Sequence, residues 1–119
     1  VSVGNERFRR SGISSARIRD EDGRGEKRTW SVEELLSAKA LHAEGKELGH
    51  CVYAYCSHVR SGACSIWSLR CEGRRALTIE VMRGVVVQAR GRTNRPPKAD
   101  EARVLSEWAS RAGLRVRSY

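Results

Sequence analysis

The sequence predicts a small α+β domain built from two helices, a three-stranded antiparallel meander and a C-terminal amphipathic helix. Three observations predict it. Apolar residues recur at helical spacing over 32–59 and again over 104–112. Three short runs rich in β-forming residues follow one another between 63 and 90. The pairs Glu72-Gly73 and Arg83-Gly84 separate those runs as turn signals. A chain of 119 residues has the length of one domain. Its 39% apolar content is enough for a modest core and excludes a wholly disordered chain. No apolar run approaches the roughly 18 residues of a membrane span, and no secretory signal pattern is visible.

Each element has its own signal. Residues 1–29 are rich in Arg, Ser, Gly and acids, with isolated apolar side chains at Phe8, Ile13 and Ile18. Residues 20–28 hold no apolar side chain and read as a linker. A flexible basic segment is therefore expected over 1–29, and the folded domain over 30–119. Ser31-Val32-Glu33-Glu34 reads as a capping box, followed by Val32, Leu35, Leu36, Ala40 and Ala43 at helical spacing and a stop at Gly45. A second helix is expected over 47–60, with Leu48, Val52, Tyr55 and Val59 within about 60° of one another. His50 then falls nearly opposite that row, alongside Ala54 and Ser57. Near a helix start the dipole disfavours its protonation, which leaves a neutral imidazole available as a base.

The strands are expected over 63–70, 76–82 and 85–90. A three-residue loop Met82-Arg83-Gly84 would pair Val81 with Val85, Ile79 with Val87 and Leu77 with Ala89, giving one wholly apolar face. The other face then gathers Thr78, Glu80, Gln88 and Arg90. A two-residue loop would put Gln88 and Arg90 among the core residues, so the longer loop is expected. Asn94-Arg95-Pro96-Pro97 breaks the chain. The last helix carries Val104, Leu105, Trp108 and Ala112 and closes at Gly113. Leu114-Arg115-Val116-Arg117 alternates as an edge strand would. Trp30, Trp67 and Trp108 are expected in the core; of the three, Trp67, on a strand, also suits base stacking.

Charge points to a polyanion. The net charge is +9, and 19 of the 23 basic residues are Arg, whose planar fork suits phosphate. Residues 51–119 hold 13 basic and 5 acidic side chains, so nearly all the excess lies there. Nucleic acid is the expected partner, with Arg90, Arg92, Arg95, Arg74 and Arg83 at its phosphates. A metal is not expected. Cys51, Cys56, Cys64, Cys71, His50 and His58 are close in sequence, yet no Cys-x-x-Cys pair occurs, and Cys51 and Cys56 diverge by about 140° on a helix. His42-Ala43-Glu44 fits the His-x-Glu of zinc deaminases, but no Pro-Cys-x-x-Cys follows. Zinc is set aside, no other cofactor is expected, and the thiols read as reduced.

From Leu41 onward the residues run Leu41-x-x-Glu44-Gly45-x-x-Leu48-x-His50-Cys51-Val52-x-x-Tyr55, then Gly62, Thr78-Ile79-Glu80-Val81, Gln88-x-x-Gly91-x-x-Asn94 and the helix around Trp108. This order resembles the PcfJ-like family of bacterial conjugative plasmids, phages and other mobile elements. The resemblance marks His50, Cys51, Tyr55, Glu80, Gln88, Gly91 and Asn94. It implies a mobile-element context in a bacterial cytoplasm, with a larger parent chain or a mobile-element complex as partner, and supplies no reaction. The expected function is nucleic-acid interaction, with phosphates gripped by an Arg-rich sheet face and the Gly91-to-Asn94 turn. The alternative is a small metal-independent nuclease with His50 and Glu80 as acid and base, Gln88 and Asn94 positioning, and Arg90 and Arg92 at the phosphate. Tyr55 counts among that site's residues, although its place on the apolar helix face also suits the core, and Thr78 would flank the site. A distant third reading is ADP-ribosyl transfer, whose His, Tyr and Glu set is present but whose spacing from His50 to Glu80 looks short.

Overall fold

The computed structural model describes residues 6–50 and 56–117, with Cys56 and Ser57 described by their backbone alone. Six strands form one sheet in sequence order: β1 (Ala16–Glu21), β2 (Lys27–Glu34), β3 (Ser65–Cys71), β4 (Arg74–Met82), β5 (Val85–Arg90) and β6 (Arg115–Val116). Neighbours are antiparallel except β5 and β6, which run parallel and make the sheet mixed. Helices α1 (Ala38–Leu48) and α2 (Cys56–Arg60) connect β2 to β3, and α3 (Ala99–Ala112) connects β5 to β6. The sheet curls into a half-barrel around α3, which touches both edge strands, β1 and β6.

The expected three-stranded meander is therefore half the sheet. The first strands fall where a linker and a capping box were expected. Ile18 in β1 and Trp30 and Val32 in β2 are buried, while Arg17, Arg19 and Glu33 between them are exposed. That is a period-2 strand with one covered face. Its solvent face is so rich in charge that the inward residues look isolated in the sequence. Ser31 and Glu34 lie on β2, and the helix starts later, where the Ser37 hydroxyl accepts from the Ala40 amide at 3.0 Å. Helix α1 runs past the expected stop at Gly45 to Gly49, whose left-handed φ of 67° closes it. Of the expected second helix, Glu47 and Leu48 belong to α1 and 56–60 to α2. Cys51, Val52, Ala54 and Tyr55 lie outside the described residues.

Two cores result. On the α3 face, Val32, Trp67, Leu69, Leu77, Ile79, Val81, Val86 and Ala89 pack against Val104, Leu105 and Trp108, with the Trp67 and Trp108 ring centroids 4.9 Å apart. On the other face a smaller cluster joins Phe8, Leu35, Ala38, Leu41, Val59, Cys64 and Ile66. Phe8 ties the N-terminal segment to it, since its amide donates to the Leu36 carbonyl at 2.8 Å.

The β4–β5 turn corrects the expected register. Met82 pairs with Val85 across a two-residue turn in which Arg83 and Gly84 have φ of 51° and 76°. Both central residues of such a turn need positive φ, which Gly supplies without strain. Val87 then bulges out of the ladder, and beyond it Glu80 pairs with Gln88 and Thr78 with Arg90. The bulge reverses the alternation. Gln88 and Arg90 therefore share the face of Thr78 and Glu80, while Val86 takes the core place assigned to Val85 and Val87.

Candidate functional site

The site is a polar seam between α1 and the face of β3, β4 and β5 that α3 does not cover. It starts from an acid in an apolar row. Ala38, Leu41, Glu44 and Leu48 are the buried residues of α1, and Glu44 has no exposed surface. A carboxylate there is tolerable only if donors replace water, and three do. The Thr78 hydroxyl donates to Oε2 at 2.6 Å, the Ser68 hydroxyl to Oε1 at 2.8 Å, and Arg75 Nε to Oε1 at 2.9 Å. A second bulge supplies the arginine. Leu69 pairs with Leu77 but Arg70 with Arg75, so Ala76 is the extra residue and Arg75 is re-aimed onto the α1 face.

His50 joins this seam from just beyond the C-terminus of α1, not from a helix start. Its Nε2 lies 3.3 Å from Thr78 Oγ1. The single Thr78 proton goes to Glu44 in the shorter contact, so the hydroxyl oxygen accepts from Nε2–H. A hydroxyl thus links carboxylate to imidazole. Burial is the largest influence on His50 and lowers its pKa, opposed by the Glu44 charge and a bond to its own backbone. Glu80 stands two positions along β4 from Thr78 on the same face, roughly 7 Å away. Burial raises its pKa, opposed by the Cys64 thiol donating to it and by the His58 and Arg117 charges. Burial, then the Glu80 charge and the same contact, push the Cys64 thiol up to about 11. A base kept neutral and an acid kept protonated further up the pH scale are the two halves of acid–base work.

The other expected residues divide. Gln88 is half-buried beside Glu80, and Arg90 lies beside Thr78 with its guanidinium donating to the Ala89 carbonyl at 3.0 Å. Asn94 is exposed in a 3₁₀ turn (Arg92–Asn94) with φ of 64°, and that turn packs on the end of α1 through Arg92, which donates to the Glu47 carbonyl at 2.9 Å. Arg95 makes a bidentate pair with Glu101 at 2.8 and 2.9 Å and crosses Gly91 so closely that a Cβ there would sit 2.6 Å from its Cζ. Gly91 and Arg95 together pin the turn to the start of α3. Arg74 and Arg83 stand at opposite ends of β4, so the expected arginine face is not one surface. Cys51 and Tyr55 are outside the described residues. Sequence reasoning met Glu44 in the His-x-Glu and family patterns without giving it a place in the site, and passed over Ser68 and Arg75; the available signal was the acid at 44 between Leu41 and Leu48. Among the described residues no group of three or more His, Cys, Asp or Glu side chains is arranged to hold a metal, and no helix is long and apolar enough to cross a membrane.

No curated protein and no solved structure matches the chain. The family model described as PcfJ-like protein matches residues 9–105. That span begins well before Leu41, where the resemblance starts, and takes in β1, β2 and the whole polar seam. The chain belongs to the PcfJ-like family.

Proposed function

We propose that this chain is a nucleic-acid-binding domain of a bacterial mobile-element protein that grips phosphates at one end of its sheet. One observation carries the reading. Arg9, Arg10 and Arg83 converge where β2 and β4 end and β3 begins, and none has a carboxylate partner among the described residues. Arg115 adjoins them, its amide bonded to the Gly84 carbonyl at 3.0 Å. By contrast Arg92 and Arg95 are ion-paired. Guanidinia without acidic partners meet phosphate without first breaking a salt bridge.

Fluorescence anisotropy with labelled single-stranded RNA, single-stranded DNA and duplex DNA tests this. Affinity is expected to fall as salt rises. Arg9→Glu with Arg83→Glu is expected to weaken binding by about tenfold and to reduce the salt slope by roughly 0.7 per lost phosphate contact on a single strand. Absence of binding to all three at low salt overturns the reading.

A nuclease is the second reading, favoured by the His50–Thr78–Glu44 chain and by Glu80 on the same strand face. RNA or DNA cleavage that survives chelator and is lost in Glu80→Gln would support it; intact nucleic acid under every condition sinks it.

A further inference from the structure

The arginines of the sheet's end line a cleft of about 550 Å³, walled by the loop at 9–13, the turn between α2 and β3, and the Arg83-Gly84 turn. Its size is that of a small-molecule pocket, too small for a duplex and sufficient for one nucleotide. Arg9 and Arg10 approach from one wall and Arg83 from another. The acids nearby are engaged: Glu34 accepts from the Ser11 amide at 3.3 and 3.2 Å, Glu6 holds Arg60 in a two-point pair, and Glu33, on the wall of the adjoining cleft, pairs with Arg70 at 3.2 Å. Ser65, buried on the wall, accepts the Trp67 indole N–H at 2.9 Å, which leaves its own proton to donate. A second cleft of about 490 Å³ shares Arg10, Ile13 and Glu34 and continues past Ser14 and Ser15, with room for a sugar and base.

We infer that this cleft seats a phosphomonoester, the terminal phosphate of a nucleic-acid strand, and does not track the internal backbone. The inference rests on the nucleic-acid reading and specifies its substrate. A monoester carries about 1.5 to 2 negative charges at pH 7 and three terminal oxygens, which several converging guanidinia fit better than they fit a singly charged diester.

The experiment compares oligonucleotides of one sequence with 5′-phosphate, 3′-phosphate or hydroxyl ends, together with adenosine monophosphate. Wild type is set beside Arg10→Gln, Arg83→Gln and, at the opposite end of the sheet, Arg24→Gln. All three arginines are exposed, and circular dichroism checks the fold. One phosphate-ended strand is expected to bind about tenfold tighter than the hydroxyl-ended strand. Arg10→Gln and Arg83→Gln are expected to erase that difference and Arg24→Gln to keep it. Equal affinity for all three strands overturns the inference and leaves nucleic-acid binding standing. Mononucleotide binding that Arg10→Gln and Arg83→Gln abolish, with no strand bound, supports the phosphate seat and overturns the nucleic-acid reading. Binding of no probe overturns both.

Discussion

Glu44 has no contact with solvent, and among the described residues its charge is held by Ser68, Arg75 and Thr78. Removing that charge leaves Arg75 without its counter-ion in a partly buried position. Glu44→Gln is expected to destabilise the fold by about 3 kcal/mol, the lower end for a broken buried pair because Arg75 keeps some exposure. Chemical denaturation measures it. The same substitution removes the influence that holds the His50 pKa up, so the imidazole should titrate lower still, as read by NMR of its ring protons. An unchanged or higher value breaks the proposed link through Thr78. In the wild type, a histidine whose pKa falls on folding contributes its full stability above the unfolded value near 6.5, and that contribution is lost progressively as pH falls below it. Glu80 acts in the opposite window: its raised pKa leaves stability intact below about 4.5 and costs stability as pH rises past that.

At the scale of elements, two bulges decide which side chains meet. Ala76 turns Arg75 toward α1, and Val87 keeps Gln88 and Arg90 beside Glu80 and Thr78. A bulge is one extra residue with no compositional mark of its own, so strict alternation predicts the wrong inward valine while still grouping the polar residues correctly. The 3₁₀ turn is fixed differently, by the absence of a side chain at Gly91 beneath the Arg95 guanidinium. Gly91→Ala is expected to cost about 1 to 3 kcal/mol, from the overpacking of that contact. Most of the cost should vanish in an Arg95→Ala background, which a double-mutant cycle by thermal or chemical denaturation measures. Additive costs would mean that the contact does not set the turn.

At the scale of the molecule, α3 holds the half-barrel together because both edge strands touch it. Trp108 is its anchor, fully buried against Trp67 and donating its indole N–H to the Ser14 carbonyl at 2.8 Å. Trp108→Ala is expected to cost about 4 kcal/mol in a denaturant titration. A cost below about 1 kcal/mol would place the stability of the half-barrel elsewhere.

The amino-acid order alone determined the elements whose signal is local: the last helix, the strands between 63 and 90, the turn glycines and the concentration of arginine. Family resemblance from Leu41 onward was legible in the same way. Only the tertiary structure decided the rest. Strands β1 and β2 owe their existence to pairing with each other, to the pairing of β2 with β3, and to one covered face, which three scattered apolar residues cannot announce. His50 meets Glu44 across a strand residue 28 positions later in the chain, and the arginine cleft draws on three separate segments. Periodicity reports what a residue does within its own element; contact between distant elements depends on register, and here single bulged residues set it.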